Sequence, residues 1–482
     1  MPKNFYITTT LPYVNAEAHM GHAMEFIRAD IIARYHKLLG DNVFFNTGTD
    51  EHGIKIYKKA QEKGQSPKEF VDYYATKFRD LLNILNVEPT SFVRTTDEYH
   101  IKSAQAFWLE CDKNGYIYKK AYKVKYCVGC ELEKTDSELV NGKCADHQNM
   151  ELELIDEENY FFKFSAFQDK LLQFYDSHPD FVVPESRFNE IKSFVKGGLQ
   201  DFSISRLKDK MPWGIEVPND PAQVMYVWFD ALVNYISVIG WPNDLEKFNR
   251  WHKDNGGMIQ YCGKDNLRQQ SAMWQAMLMA AGLPNSHKII INGFIIGPGG
   301  VKMSKSLGNV ISPLEIIEEY GAEALRYYVA REIHPFEDTA FTKESFKTAY
   351  NANLANGLGN LVSRVMKMTT TNGVVSNISD SDLQKNFLGL VKKGLDAFNI
   401  QEATDSIWRM ISSIDALIQD KQPFKKIKIN PEEAKKDLQE IINGLHVAAY
   451  SLRPIMPKTA ETILTLIKEN KCPDAPLFVR KD

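Results

Sequence analysis

The opening fifty residues constrain the fold most. "NFYITTT", residues 4–10, alternates apolar and polar side chains and reads as a strand running into a turn at Leu11-Pro12-Tyr13. From about His19, the residues Met20, Ala23, Met24, Ile27, Ile31 and Tyr35 recur at spacings of three and four, which predicts a helix. "DNVFFNTGTDEHG" then reads as a second strand ending in a polar, glycine-punctuated loop at residues 47–53. A strand, loop, helix and strand in that order predict a doubly wound α/β domain, where ligands bind beyond the carboxyl ends of the strands. Helical patterns fill roughly residues 54–115, and α/β character returns in "QVMYVWFDALVNYI", "GGMIQYCGKDN" and "HKIIINGFIIG". Residues 116–205, which hold a cysteine cluster and acidic stretches, read as an insertion between the halves 1–115 and 206–340. Residues 341–482 are almost entirely helical in pattern and predict a separate all-α bundle.

Composition narrows the partners. At 482 residues the chain exceeds what one hydrophobic core supports. No apolar run approaches the roughly 20 residues that span a bilayer. The start lacks the basic-then-apolar layout of a signal peptide, so a cytoplasmic protein without a membrane partner is expected. A net charge of −4 excludes a global positive field of the kind that holds DNA non-specifically, although a local basic surface is compatible with it. Of six cysteines, Cys111, Cys262 and Cys472 are scattered. Cys127-x-x-Cys130 and Cys144-x-x-His147 instead form two paired knuckles, a pattern for a closed tetrahedral Zn²⁺ site with a structural role.

Two stretches point to phosphate. His19 and His22 follow a strand and sit at the start of a helix, where unpaired N–H groups and the helix dipole favour anions. Gly21 between them lets a flat base approach the backbone. Helical metal pairs favour i, i+4 spacing, so the metal reading of this pair is poorer; taken alone, the pair also suits a structural or solvated role. The second stretch is "GGVKMSKSLGNV", residues 299–310, with Lys302 and Lys305 on a glycine-flanked loop. Such a loop suits closure over a polyanion and neutralisation of a departing pyrophosphate. Ser312, Pro313 and Glu315 predict a capping box for the next helix.

His19-Met20-Gly21-His22 and Lys302-Met303-Ser304-Lys305-Ser306 together resemble the HxGH and KMSKS signatures of class I aminoacyl-tRNA synthetases. Within that class, "TLPYVNAEAHMGH", "FNTGTDEHG", "YVWFDAL", "YCGKDN" and the asparagine-rich helix near 351 resemble the methionyl family over nearly the whole chain. The resemblance implies a Rossmann-type catalytic domain, a zinc-binding connective insertion and an anticodon-binding helical bundle. It implies ATP-dependent ligation of L-methionine to tRNA(Met), initiator tRNA included, through an aminoacyl-adenylate, with Mg²⁺ arriving on ATP. His19, His22, Lys302 and Lys305 would be catalytic; Gly21, Glu25 and Asp265 would complete ATP binding. Leu11, Tyr13, Asp50, Trp228, Ala231 and Tyr235 would line the methionine pocket, with Asp50 facing the ammonium group.

One departure follows "GKD". The family carries an aromatic-His pair there, whereas this chain has Gln269-Gln270; Gln270 can still hydrogen-bond, but Gln269 supplies no aromatic lid. Asn356, Asn360 and Arg364, spaced as one helical face, and Phe424 within "KQPFKKIK" would contact the anticodon. A monomer is expected. The alternative is another small class I synthetase such as the cysteinyl type, which places zinc in the substrate pocket itself.

Overall fold

The computed structural model describes residues 2–130, 132–134, 139–297, 300 and 311–482. The loop bearing Lys302 and Lys305 lies outside the described residues. The chain forms two compact units, one of residues 1–18, 41–82 and 88–291, the other of 19–40, 83–87 and 292–482.

A six-stranded sheet organises the first unit. Its order is Ser91–Arg94, Asn42–Thr49, Asn4–Thr9, Ile259–Gly263, Lys288–Asn292, Val182–Val183. Asn4–Thr9 pairs in parallel with both of its neighbours. Parallel strands covered on both faces should be buried throughout, and Tyr6–Thr9 and Phe44–Thr49 are. Chain order reverses between Asn4–Thr9 and Ile259–Gly263. This is a topological switch point, and it opens a crevice beyond the carboxyl ends of those two strands. Buried polar groups gather towards the carboxyl ends of Asn4–Thr9 and its neighbour Asn42–Thr49: Thr9 and Thr47 share a 2.7 Å hydroxyl hydrogen bond, and Asn46 donates to Asn234 Oδ1 at 3.1 Å. Val182–Val183, from within residues 116–205, is the edge strand of this sheet.

The same unit contains a four-stranded sheet in the order Phe202–Ser203, Glu153–Phe162, Ile117–Cys127, Leu132–Lys134. A small hairpin pairs Leu139–Val140 with Lys143–Cys144. Its two-residue turn, Asn141-Gly142, has φ of 53° and 78°. That is the sign pattern of a type I′ turn, which matches strand twist and selects Asn-Gly.

Among its described residues the second unit is helical apart from loops and a two-strand contact between Ile295–Ile296 and Thr339–Ala340. Helix Met20–Leu38 belongs to it and is buried almost all round from Ala23 to Ala33. Asp380–Asp396, Ile400–Lys421 and Pro431–Ser451 start where Ser379, Asn399 and Asn430 cap backbone N–H groups with their side chains. The predicted capping box of helix Pro313–Tyr320 is realised only in part. Ser312 accepts from Leu314 N–H at 3.2 Å, whereas the Glu315 carboxylate takes a 2.7 Å ion pair with Lys343. A cation within reach outcompetes a backbone N–H for that carboxylate.

Candidate active site and metal centre

His19 is the N-cap residue of helix Met20–Leu38, with extended backbone (φ −120°, ψ 173°). Its Nδ1 accepts from Gly21 N–H at 3.1 Å, and His22 Nδ1 accepts from His19 N–H at 3.3 Å. The two imidazoles therefore form a reciprocal capping box, the arrangement normally built from Ser/Thr and Glu/Gln. Their rings stack at 3.7 Å between centroids with 16° between planes. A nitrogen that accepts cannot carry the proton, so both rings are Nε2–H tautomers that donate from Nε2. Two cations at this separation would repel, which also favours the neutral pair. Gly21 is tightly placed: a Cβ there would meet the His19 ring at 3.0 Å. Glu25 is buried one turn further on.

Helix Met20–Leu38 is held by two buried charges that its periodicity does not advertise. The Arg28 guanidinium donates to Asn292 Oδ1 at 2.9 Å and to the carbonyls of Ile333, His334 and Pro335 at 3.1, 3.0 and 3.0 Å. Asp30 pairs with Arg34 and with the wholly buried Arg326, both at 2.7 Å. The available sequence signal was Arg28 and Asp30 two positions apart within a largely apolar stretch.

In the first unit, Leu11, Tyr13 and Asp265 follow the carboxyl ends of the two strands flanking the switch point, and Asp50 follows the neighbouring strand. Tyr13 and Asp50 form a parallel bridge: Asp50 N–H donates to Pro12 O at 2.9 Å and Val14 N–H to Asp50 O at 3.1 Å. The two residues after Asp50 are clamped as well. Glu51 accepts from Arg94 Nε and Nη2 at 2.7 and 2.8 Å and from the hydroxyls of Thr49 and Thr96 at 2.6 and 2.5 Å. His52 meets Asp230 at 2.7 Å. Burial pushes the Asp230 carboxyl up, but His52 and His100 together outweigh it and hold it below the ordinary Asp value.

Trp228, half-buried, and Ala231 stand on helix Val227–Ala231; Tyr235, fully buried, stands on helix Asn234–Ser237. Gln270 is buried behind Tyr235. It donates to the Tyr235 hydroxyl at 2.8 Å and accepts from Gln260 Nε2 at 2.7 Å, while Gln275 Nε2 reaches the Gln270 carbonyl at 2.9 Å. Gln269 is buried too. Sequence reasoning missed this amide network and the Asp230 cluster. A charged residue inside "MYVWFDALV" and paired glutamines ahead of an apolar helix were the signals.

Cys127, Cys130, Cys144 and His147 come together with all four ligand atoms within 4.8 Å of one another. Cys130 Sγ lies 3.5 Å from Cys144 Sγ, too far for a disulfide, and 3.2 Å from His147 Nδ1. His147 Nδ1 lies 3.8 and 4.0 Å from the other two sulfurs. Metal–ligand bonds of ~2.3 Å to sulfur and ~2.0 Å to nitrogen imply tetrahedral edges of about 3.5–3.8 Å, so the cluster could hold a metal ion. A Cβ on Gly129 would lie 2.5 Å from the His147 ring, so any larger residue before Cys130 would push that ring aside.

In the helical unit, Asn356 and Asn360 are exposed and Arg364 is half-buried in an ion pair with Asp415. Tyr350–Gly359 is π-helical, so the α spacing assumed for the three residues holds only from Asn360 onward. Phe424 is 44% exposed, with Lys425 5.9 Å from its ring centre. Lys421 and Lys426 of the same segment pair with Asp437 at 3.2 and 2.6 Å, so part of its positive charge is neutralised internally.

Among the described residues no helix is long and apolar enough to cross a membrane. A family model described as tRNA synthetases class I (M) matches residues 5–153 and 135–366. A methionine–tRNA ligase of Caldanaerobacter subterraneus subsp. tengcongensis is 40% identical over 477 residues, covering 95% of this chain and 73% of the relative. That of Thermotoga maritima is 38% identical over 483 residues, covering 97% and 76%. The Mycobacterium tuberculosis methionyl-tRNA synthetase in complex with methionyl-adenylate superimposes with a TM-score of 0.89 at 35% identity, covering 96% of this chain and 94% of that one. The chain belongs to the methionine–tRNA ligase family of class I tRNA synthetases.

Proposed function

We propose that this chain activates L-methionine with ATP and transfers it to tRNA(Met), initiator tRNA included, by the following division of labour. A methionine carboxylate oxygen attacks the α-phosphorus of ATP. The bond from that phosphorus to the bridging oxygen of the β-phosphate breaks, and pyrophosphate leaves with its electrons. A terminal ribose hydroxyl of the tRNA then attacks the methionyl carbonyl carbon and AMP departs. No protein nucleophile is needed, so the protein contributes position and charge. His19 and His22 donate from Nε2 to the phosphate oxygens; Gly21 and Glu25 lie against the nucleotide, and Asp265 takes its ribose. Lys302 and Lys305 neutralise the leaving pyrophosphate. Mg²⁺ enters with ATP and supplies further charge neutralisation.

Asp50 faces the substrate ammonium, while Leu11, Tyr13, Trp228, Ala231 and Tyr235 surround the thioether, a polarizable group suited to aromatic neighbours. Gln270 acts through Tyr235. Residues 1–115 and 206–340 form the catalytic domain and 341–482 the anticodon-binding bundle, with Asn356, Asn360, Arg364 and Phe424 as contacts. Zn²⁺ held by Cys127, Cys130, Cys144 and His147 stabilises the insertion 116–205. The protein works as a cytoplasmic monomer.

The observation that carries the reading is the stacked His19–His22 pair, whose two Nδ1 atoms are occupied in capping the helix. The test is ATP–pyrophosphate exchange with methionine or cysteine as the amino acid, on wild type and Lys305→Ala. Methionine-dependent exchange that the substitution lowers by about 100-fold is expected. Exchange driven by cysteine, or normal activity in the variant, would overturn the assignment.

A further inference from the structure

Three of the chain segments that carry residues assigned to the methionine pocket each send a polar group into one buried cluster. Asp230 stands on helix Val227–Ala231, two positions after Trp228 and one before Ala231. Its Oδ2 lies 2.7 Å from His52 Nδ1, and its Oδ1 lies 2.8 Å from His100 Nε2. His52 is two residues past Asp50. His100 Nδ1 continues to Ser237 Oγ at 3.1 Å, and Ser237 shares helix Asn234–Ser237 with Tyr235. All four members are buried, Asp230 and His100 completely. An ionised carboxylate only accepts, so His52 carries a proton on Nδ1 and His100 on Nε2, and both ring orientations are set by Asp230.

Burying a carboxylate is costly even when it is paired, and a hydrophobic trio could fill the same space. What such a trio could not do is fix distance and direction between segments far apart in sequence; a fully satisfied network in a low dielectric does that. We propose that His52, Asp230 and His100 are positioning residues. They hold the ammonium side of the methionine pocket, at Asp50, at a set separation from its thioether side, at Trp228, Ala231 and Tyr235. This rests on the pocket assignment made above. Because the cluster ties those segments to helix Glu98–Lys113 through His100 and includes no residue assigned to ATP, its loss weakens methionine recognition and leaves ATP recognition nearly unchanged.

The test is methionine-dependent exchange by the full chain, with KM read separately for methionine and ATP. His52→Ala is expected to raise the methionine KM at least about tenfold and to change the ATP KM less than about twofold, since a misplacement of about 1 Å is costly in a preorganised site. His52→Asn puts an amide N–H where Nδ1 was, and returns the methionine KM to within about threefold of wild type. Folded His52→Ala enzyme with an unchanged methionine KM overturns the proposal. So do equal rises in both KM values, or Ala and Asn variants that behave alike. Should His52→Ala fail to fold, His100→Leu against His100→Gln makes the same comparison from the other side of the carboxylate. A wild-type protein without methionine-dependent exchange would instead overturn the pocket assignment itself.

Discussion

The N-terminal cap of helix Met20–Leu38 and the cluster around Asp230 are both built from histidines, yet they are held in opposite ways. The His19–His22 cap closes over two or three residues of sequence. The Asp230 contacts join residues 178 and 130 positions apart. His19 is exposed, whereas the Asp230 cluster is shut away from solvent. A short motif suffices where a group has only to be presented. A buried network is needed where separate segments have to be kept in register.

The contrast can be broken most severely at the helix itself. If its own residues kept it in place, removing Asp30 would do little. Asp30→Ala instead leaves the buried Arg326 without its carboxylate and should cost about 3–5 kcal/mol. A shift of the urea midpoint of this variant equivalent to less than about 1 kcal/mol would show that the local cap is enough.

A smaller effect separates capping from chemistry. Asn is a preferred N-cap residue, so His19→Asn should leave thermal stability within about 0.5 kcal/mol of wild type. Methionine-dependent exchange should nevertheless fall by about 100-fold, because the amide does not reproduce the Nε2 donor. Parallel losses of stability and activity would mean that His19 serves the fold alone.

The smallest expected effect concerns a third buried imidazole. His252 Nε2 lies 2.8 Å from Pro284 O, its Nδ1 has no partner, and burial lowers its pKa below the ordinary 6.5. A group with a depressed folded pKa contributes stability above its unfolded value and loses it as pH falls through the folded one. Stability should therefore decline as pH drops from 6.5 towards the lowered value, and His252→Gln should flatten that part of the profile. An unchanged profile in the variant would assign the decline to other groups.

Much of the candidate site was legible because its signals are local. HMGH after a strand placed both imidazoles at a helix start; the two Cys/His pairs each span one knuckle; "GKDN" and "TGTDEHG" each run past the carboxyl end of a strand. The strand order could not be read, since no feature of Val182–Val183 says that two residues out of the insertion pair with Lys288–Asn292. Gln270 could be judged only as a hydrogen-bonding residue, because its partners Tyr235 and Gln260 lie 35 and 10 positions away. The π-helical stretch at Tyr350–Gly359 defeated the 3.6-residue stripe, which presumes one uniform helix.

The sequence by itself determined the opening strand, helix and strand, the motif that presents His19 and His22, and a donor set fit for a metal. These depend on spacing along one strand, helix or hairpin, where covalent geometry limits the outcome. Only the tertiary structure decided that the charges of Arg28, Asp30 and Asp230 are buried, and which groups they meet. It also decided that the helices bearing Trp228 and Tyr235 are tied to the loop after Asp50. A side chain's partner across more than a hundred residues follows from packing, and the solvation and proton positions of buried groups follow from that partner.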